Sequence, residues 1–339
     1  MKQDKVAVLL MNVGSPDKPE PRAVRKYLTQ FLNDRRVIDL PWILQKFLVN
    51  LIIIPFRIKK STGLYKRIWS DMGSPLIAIT GMIQKKLEVM AGSRFKVFTG
   101  MRYGNPGYKK ALEEIKKGQF DQLVVFPLFP QYAMSTTETA FAAIDNELKK
   151  QKIKIPVIKI DQFYNHPGFI AAFADKVKQC HPENFDHIVF TYHGLPDRQV
   201  EKCHPGIKVH LCDCKNEIPA HGTHCYRATC YATTRLIASV LGLPKGFFTT
   251  SFQSRLTKNW LSPFTDETLL LKIQEGKKKI LVVAPSFVTD CLETIIEIGE
   301  DYQILFRKNG GEKLQWVESL NSDNLWLETI EHIILQQIK

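Results

Sequence analysis

Several features that would assign this chain to a simple class are missing from its sequence. It has no low-complexity tract, no Gly-Ser linker and no phosphate-binding GxGxxG or GxxxxGKS/T motif. Its beginning lacks the long apolar region and the small-residue cleavage site of a secretory signal peptide. The most apolar stretch, 42–58, is too short to cross a bilayer and is interrupted by Lys46, Asn50 and Pro55. We therefore expect a cytoplasmic chain in a reducing compartment.

The composition is that of a folded protein with a basic surplus. Of its 339 residues 44% are hydrophobic and 24% are charged, which is ordinary for a globular protein of one large domain or two. The 47 Lys and Arg residues exceed the 34 Asp and Glu residues, for a net charge of +13. This surplus suits an anionic membrane face, an acidic small molecule or a polyanion, and it also suits a lysine-rich soluble surface. No nucleic-acid-binding motif accompanies it, so we expect no nucleic-acid partner.

Short apolar runs alternate with amphipathic helical patterns, which is typical of parallel α/β sheets. The two halves repeat the order of their elements: VLLMNVGSP in the first corresponds to IVFTYHGLP in the second, and LVVFP to LVVAP. The sequence therefore predicts two similar α/β domains, 1–162 and 163–339. The predicted strands are Val6–Met11, Phe95–Thr99, Leu123–Pro127, Ile155–Ile160, Ile188–Thr191, Phe247–Ser251, Ile280–Ala284 and Tyr302–Phe306.

Residues with useful chemistry follow several of these strands, at the sheet edge where parallel sheets bind ligands. His193 ends an apolar run and is followed by Gly194 and a turn. An imidazole at this point suits proton transfer near neutral pH or metal ligation, and it also suits a structural turn.

A row of carboxylates follows the strand that ends at 284. Asp290, Glu293, Glu297 and Glu300 are spaced by three, four and three residues, which on an α-helix is a single face. Such a row suits the passage of a cation or a proton relay. A solvated acidic face is the alternative.

Five of the seven cysteines lie within 203–230, at positions 203, 212, 214, 225 and 230. Clustered thiols in a reducing compartment favour a metal over disulfides. The spacing matches neither CxxC pairs nor a zinc finger, so a cluster, a zinc site that includes His221 or His224, and free buried thiols all stay open.

Taken in order, the motifs of this chain resemble those of the ferrochelatase family over nearly the whole length. The matching stretches are LLMNVGSP at 9–16, RIWSDMGSP at 67–75, MRYGNP at 101–106, PLFPQYAMSTT at 127–137, YHGLP at 192–196, FQSRLTKNWLSPFTDE at 252–267 and FVTDCLETIIE at 287–297. The resemblance implies two Rossmann-like domains with parallel four-stranded sheets flanking a cleft. It implies insertion of ferrous iron into protoporphyrin IX, the last step of haem synthesis. Coproporphyrin or another tetrapyrrole as substrate, and a non-catalytic tetrapyrrole or metal sensor, are the alternatives.

The same resemblance assigns roles to individual residues. His193 matches the essential cleft histidine, and Glu293 its essential acidic partner; both are expected to meet the iron. Asp290, Glu297 and Glu300 are expected to form an acidic path from the site, and Arg102 is a candidate partner for a propionate. Cys291 is a departure, because some members have histidine there. The expected porphyrin-binding residues are Val13, Arg102, Tyr103, Trp260 and Phe287.

Two further expectations follow from the resemblance. The 42–58 segment falls where the family has a hydrophobic lip, which favours peripheral contact with a membrane over an internal core helix. Cys212, Cys214, Cys225 and Cys230 are expected to hold a [2Fe–2S] cluster, with Cys203 as an alternative ligand and structural zinc as an alternative metal.

Overall fold

The computed structural model describes residues 5–338, which form two compact units. The first contains the chain up to Phe129, Met134–Gln162 and the chain from Ser322 onward, and the second contains Pro130–Ala133 and Phe163–Asn321. The sequence-based division after residue 162 assigned all of 163–339 to the second domain. The structure differs there, because the C-terminal helix belongs to the first unit.

This helix joins the first unit through both apolar and polar contacts. It spans Asn324–Gln337 and packs on the helix Pro75–Ala91 of the same unit. Its buried residues include Trp326, which has no exposed surface. Arg94 Nη2 donates a 2.6 Å hydrogen bond to Glu331 Oε1, and Lys86 Nζ donates a 2.9 Å bond to the carbonyl of Ser322. Local sequence carries no sign of these partners, which lie more than two hundred residues away.

Each unit is built on one four-stranded sheet whose strands are all parallel. The spatial orders are β2-β1-β3-β4 and β6-β5-β7-β8, so the two sheets repeat one topology. The central strands are almost fully buried because helices cover both faces. The strands are β1 Val6–Ser15, β2 Lys96–Gly104, β3 Gln122–Pro127, β4 Val157–Lys159, β5 His187–His193, β6 Phe248–Gln253, β7 Lys279–Val283 and β8 Lys313–Trp316.

The predicted strand Tyr302–Phe306 is wrong. These residues end one helix and begin the next, and the eighth strand is β8. Tyr302, the last residue of the first helix, and Phe306, in the second, both pack into the buried cluster of this unit. A short apolar run fits a buried strand and a buried helix equally well, so its pattern alone did not decide.

The helices surround the sheets. They are α1 Pro21–Leu32, α2 Trp42–Phe47, α3 Ile54–Ile68, α4 Pro75–Ala91, α5 Tyr108–Lys117, α6 Thr139–Gln151, α7 Pro167–Gln179, α8 Asp197–Val200, α9 Tyr226–Val240, α10 Thr265–Gln274, α11 Gln303–Lys308 and α12 Asn324–Gln337. π-Helical segments occupy Leu48–Ile53, Met134–Glu138 and Glu293–Tyr302, and short 3₁₀ turns occupy Pro182–Asn184, Glu201–Cys203, Val209–Leu211 and Ala220–Gly222.

The apolar segment 42–58 forms α2, the following π-helix and the start of α3. One side packs into the first unit, where Val49 and Ile54 join the buried face of α1. The other side leaves large apolar residues exposed, with Phe56 81% accessible. Within residues 5–338, no helix combines the length and the hydrophobicity that a membrane span requires.

Candidate functional site

The second unit presents a histidine at the carboxyl end of an inner strand. His193 is the last residue of β5, and its backbone N–H donates a 3.4 Å hydrogen bond to Ser286 Oγ. The ring of Phe287 meets the imidazole edge-on, with ring centroids 6.3 Å apart. Among the residues that the structure describes, none hydrogen-bonds to either ring nitrogen of His193. The half-buried imidazole is thus held by its backbone and by an apolar contact, with both nitrogens available.

The indole of Trp260 lies beside the turn that follows this histidine. Pro196 and Trp260 form an isolated β-bridge. A Cβ atom on Gly194 would lie 2.7 Å from the carbonyl oxygen of Gln253 and 3.4 Å from Cε3 of the indole. Glycine at this position therefore lets the indole and β6 approach the turn. Phe287 therefore contacts the His193 ring, and Trp260 lies beside the turn that follows it.

Glu293 begins the π-helix and is half-buried. The thiol of Cys291 hydrogen-bonds to its carboxylate. Burial, and then the charge of Glu293, raise the pKa of the Cys291 thiol well above its usual range. Cys291 is therefore protonated at neutral pH and donates to Glu293. The residue that departs from the family pattern is thus a neutral neighbour of the acid.

The Glu297 carboxylate accepts three hydrogen bonds. The backbone N–H of Ser254 donates a 2.8 Å hydrogen bond to Oε1, and the Ser254 hydroxyl donates to Oε2. The hydroxyl of Tyr302 donates a 2.9 Å bond to Oε1. Ser254 follows β6 with a φ of 63°, a conformation that is uncommon outside glycine. The backbone at this sheet edge is thus shaped around the Glu297 carboxylate.

The helix type changes which acidic residues share a face. π-Helical hydrogen bonds join residues five apart, so a turn takes more residues than the 3.6 of an α-helix. Tyr302, five residues after Glu297, is accordingly the side chain that meets this carboxylate. The predicted alignment of Glu300 with Glu293 and Glu297 assumed α-helical spacing and does not hold.

Asp290 precedes the helix and closes a turn. Its Oδ1 accepts hydrogen bonds from Thr294 Oγ1 at 3.0 Å and from the Ser319 N–H at 3.2 Å. Its Oδ2 accepts a 2.7 Å bond from Asn321 Nδ2. Because both oxygens of this buried carboxylate are bonded within the second unit, Asp290 positions the start of the π-helix.

In the first unit, the corresponding sheet edge is organised by Asp34. Its Oδ2 accepts hydrogen bonds from Arg102 Nη2 at 2.5 Å, Tyr103 Oη at 2.9 Å and Thr139 Oγ1 at 2.6 Å. Burial works against the charge of Asp34, but the bond from Thr139, the bond from the Arg36 backbone and the charge of Arg102 outweigh it and lower the pKa. The charge of Arg102 is therefore already balanced inside the first unit.

Val13 lies at the end of β1 on the same edge and packs against the buried cluster that contains Tyr103. The next residue, Gly14, has a φ of 105°, and a Cβ atom there would lie 1.8 Å from the carbonyl oxygen of Tyr103. Glycine is thus required where β1 and β2 approach each other. The three residues that the resemblance assigned to this unit, Val13, Arg102 and Tyr103, do share one sheet edge.

Three buried thiols meet in the segment 203–230 of the second unit. The thiol of Cys214 lies in hydrogen-bond contact with those of Cys212 and Cys225. Cys212 Sγ is also 3.4 Å from His221 Nε2. Cys203 is half-buried, and its thiol is close enough to influence the pKa of Cys225. None of these cysteines is part of a disulfide in the described chain.

This segment has the donor chemistry of an iron–sulfur centre. Within residues 5–338, no group of three or more His, Cys, Asp or Glu side chains is arranged to hold a single metal ion. The converging thiols are nevertheless the ligands that Fe–S clusters use. Beside them, the buried Nε2 atom of His204 has no hydrogen-bond partner. Thiols, with the imidazoles of His204 and His221 beside them, are thus the metal-binding donors that this segment offers.

Sequence reasoning missed Asp34, Ser254 and Tyr302, which hold the predicted residues in place. Asp34 and Arg102 are separated by 68 residues, and Ser254 and Glu297 by 43. No local pattern indicates such partners. A π-helical period would have predicted Tyr302 as the partner of Glu297, but the sequence of this segment is equally compatible with an α-helix.

Comparison with known proteins shows which family the chain is similar to. The family model described as Ferrochelatase matches residues 5–338. A curated protein named Ferrochelatase from Coxiella burnetii (strain Dugway 5J108-111) is 40% identical over 334 residues, covering 96% of this chain and 92% of the relative. Another of that name, from Legionella pneumophila (strain Corby), is 41% identical over 333 residues, covering 98% and 99%.

Among solved structures, the sirohydrochlorin chelatase SirB from Bacillus subtilis subspecies spizizenii, in complex with cobalt, is similar in fold. It has a TM-score of 0.54 and 12% sequence identity, covering 98% of this chain and 95% of SirB. At this identity the similarity concerns the fold alone.

Proposed function

The chain belongs to the ferrochelatase family, which inserts iron into a porphyrin in haem synthesis, and we propose that its substrates are protoporphyrin IX and ferrous iron. The assignment of residues rests on His193. Its imidazole lies at a sheet edge, and neither ring nitrogen forms a hydrogen bond with the described residues. A free porphyrin carries two N–H protons that must leave before a divalent metal can be bound by all four nitrogens. A neutral imidazole suits the first acceptance of such a proton.

Glu293 is the second group that we assign to the reaction. Its carboxylate begins the π-helix and receives a hydrogen bond from the neutral thiol of Cys291. A carboxylate in this position is able to take up a proton or to bind the incoming ferrous ion through oxygen. Glu297, which Ser254 and Tyr302 hold, is the next acidic group along the same helix. We propose that it forms the outward continuation of the acidic path, with Glu300 outside that row and Asp290 fixing its start.

The aromatic and apolar residues at the two sheet edges are proposed to bind the porphyrin face. In the second unit these are Trp260, beside the turn after His193, and Phe287, against the His193 ring. In the first unit the proposed residue is Val13, because Tyr103 is 2% exposed and supports this edge from within through its bond to Asp34. Arg102 is proposed to order its sheet edge through Asp34, because its charge is already paired and is not free for a propionate.

The proposed activity is tested by an absorbance time course. The purified protein is mixed with protoporphyrin IX, zinc is added as an air-stable substitute for ferrous iron, and the free-base bands are followed. Catalysed conversion to the metalloporphyrin spectrum, repeated with ferrous iron under anaerobic conditions, is the expected result. Porphyrin binding without metal insertion would contradict it. If kcat/KM measured in parallel is higher for coproporphyrin, we would conclude that coproporphyrin, not protoporphyrin IX, is the substrate.

We further propose that the exposed apolar surface of 42–58 contacts a membrane. Trp42, Ile43, Phe47, Leu51 and Phe56 are exposed on the side of the segment that does not pack on α1. The basic residues that follow, Arg57, Lys59 and Lys60, are exposed as well. Large apolar side chains beside cations are typical of helices that lie in the interface of an anionic bilayer.

We also propose that the segment 203–230 holds a [2Fe–2S] cluster, with zinc on the same thiols as the alternative. The convergence of Cys212, Cys214 and Cys225 supports this proposal. The fourth ligand would be Cys230 or Cys203. When bound, such a cluster supplies one-electron redox chemistry and ties its loop together. Iron and acid-labile sulfide assays on anaerobically purified protein test it, and a chain that contains neither would exclude the cluster.

A further inference from the structure

The backbone N–H of His193 lies where the regular pairing of β5 ends on one side. Towards β6 the pairing continues to the end of the strand, and the next N–H, that of Gly194, donates a 2.8 Å hydrogen bond to the carbonyl of Gln253. Towards β7 the pairing stops earlier, at Phe190 and Val283. Successive N–H groups of a strand point to opposite neighbours. The N–H of His193 therefore faces the side on which its strand partner has ended.

A side chain supplies the acceptor that β7 no longer provides. After β7 the chain makes a turn, in which the N–H of Phe287 donates a 3.0 Å hydrogen bond to the carbonyl of Ala284. Ser286 lies inside this turn, and its Oγ accepts the 3.4 Å hydrogen bond from the N–H of His193. The ring of Phe287, the next residue, packs against the imidazole. One turn thus contacts both the backbone and the ring of His193.

The hydroxyl of Ser286 is itself held from helix α9. It forms a hydrogen bond with the hydroxyl of Tyr226, a buried residue in the first turn of that helix. A hydroxyl has one proton to donate. Because Ser286 Oγ accepts from the N–H of His193, its proton is available for Tyr226 Oη, and Tyr226 has the thiol of Cys230 as a further partner. Removal of the Ser286 hydroxyl would deprive the His193 N–H and the Tyr226 phenol of a partner together.

Helix α9 is also fixed directly to the strand that carries His193. Thr234 lies about two turns after Tyr226, and its Oγ1 forms a 2.9 Å hydrogen bond with the hydroxyl of Tyr192. Tyr192 immediately precedes His193 in β5. The helix therefore holds the strand through Thr234 and the turn after β7 through Tyr226. Only the contact through Tyr226 leads to the N–H of His193, so Thr234 offers a comparison within the same helix.

We propose that Ser286, held by Tyr226, is a positioning residue for the imidazole of His193 during metal insertion. The role rests on the proton acceptance proposed above for His193. Since no residue of the described chain hydrogen-bonds to either ring nitrogen, the backbone of His193 and the ring of Phe287 fix the place of the imidazole. A displacement of about 1 Å can reduce a rate by about 10²-fold. The backbone contact to Ser286 is therefore a point at which the rate is sensitive.

Ser286→Ala tests the role on the full chain. We expect kcat for zinc insertion into protoporphyrin IX to fall about 10- to 100-fold, because the imidazole is displaced. Affinity for the porphyrin, measured by fluorescence quenching, is expected to stay at the wild-type value, and the binding stoichiometry gives the folded fraction on which kcat is based. Tyr226→Phe keeps the ring but removes the hydroxyl that holds Ser286, and it is expected to lower kcat by a smaller factor.

Thr234→Val is the matched control. It removes a buried hydroxyl of the same helix, with its bond to Tyr192, at nearly unchanged side-chain volume. Loss of a buried hydrogen bond lowers stability, so the melting temperature should fall while kcat stays at the wild-type value. A Ser286→Ala protein that loses stability but keeps its kcat would overturn the proposal. A loss of kcat in Thr234→Val as large as that in Ser286→Ala would overturn it as well.

A double variant separates action through His193 from a direct effect of Ser286. In the His193→Ala background there is no imidazole to position, so Ser286→Ala should lower the residual rate of zinc insertion no further. Independent contributions would instead multiply, and that result would refute the positioning role. Wild-type protein that binds porphyrin without inserting zinc would refute the proposed function itself, so the two failures are distinguishable.

Discussion

The guanidinium of Arg102 and the carboxylate of Asp34 form a 2.5 Å ion pair inside the first unit. Tyr103 and Thr139 bond to the same carboxylate oxygen. Arg102 had the features of a propionate partner when only its place at a strand end was known. The ion pair gives it another role, because a charge that is already paired orders the strand end and offers little net attraction to a substrate anion.

Asp34→Asn should destabilise the protein by about 2–3 kcal/mol, because it leaves the mostly buried Arg102 without its counter-charge. Urea unfolding measures the loss. The free energy of unfolding of the double variant with Arg102→Met should fall by less than the sum of the losses in the two single variants. An Asp34→Asn protein as stable as wild type would contradict this role.

The same ion pair predicts a loss of stability in acid. The pKa of Asp34 is lower in the folded protein than its ordinary value of 3.8. The unfolded chain therefore takes up the proton first, and the stabilisation is present above pH 3.8 and is lost as the pH falls through the folded pKa. Asp34→Asn should lack this component of the acid transition.

His193→Ala and Glu293→Gln should each lower kcat for zinc insertion about 10²- to 10⁴-fold, the usual contribution of a proton-transfer group. Porphyrin affinity, measured by fluorescence quenching, should change far less than the rate. Glu312→Gln, an exposed acid outside the site, is the control. If the His193→Ala enzyme keeps more than about a tenth of the activity, His193 is not a proton-transfer group.

Gly194→Ala should disturb the site with only a modest cost in stability. Its Cβ atom would meet the Gln253 carbonyl at 2.7 Å and the indole of Trp260 at 3.4 Å. We expect destabilisation of about 1–3 kcal/mol and a loss of activity larger than that of porphyrin binding. Gly81→Ala in α4 is the matched control, because nothing lies within 4 Å of its Cβ position. Full activity in Gly194→Ala would show that the turn adjusts.

Phe56→Ser should weaken binding to anionic phospholipid vesicles about tenfold, since burial of one large apolar side chain contributes about 1.5–3 kcal/mol. Cosedimentation measures the affinity, and added salt should weaken it further through the basic residues beside Phe56. Val89→Ser is the control, because Val89 is equally exposed but lies in α4. Equal vesicle binding by both variants would argue against the membrane surface.

His187 predicts a second pH dependence of stability. Burial, and then the charge of Lys272, lower the pKa of its imidazole from 6.5 to about 4. Between these values the unfolded state binds more protons, so stability should fall as the pH drops from 6.5 towards 4. His187→Gln, which can keep the bond to Thr249, should flatten this part of the profile. Thermal unfolding from pH 4 to 7.5 is the measurement, and an unchanged slope would exclude His187 as its source.

The sequence by itself determined the α/β class, the repeated order of elements and the strand ends where the chemistry lies. Apolar runs of strand length between amphipathic stretches are a local property, and parallel strands put their carboxyl ends on one edge. His193, at the end of β5, and Arg102, near the end of β2, were found in this way. The ordered motifs added the family, because each is short but their sequence is specific.

Only the tertiary structure decided what those side chains contact. Asp34 meets Arg102, Ser254 meets Glu297, and α12 joins the first unit, and each of these contacts joins distant parts of the chain. The π-helix put Tyr302, rather than Glu300, against Glu297. Spacing in a sequence gives distance along the chain, whereas hydrogen bonding, burial and charge balance depend on distance in space.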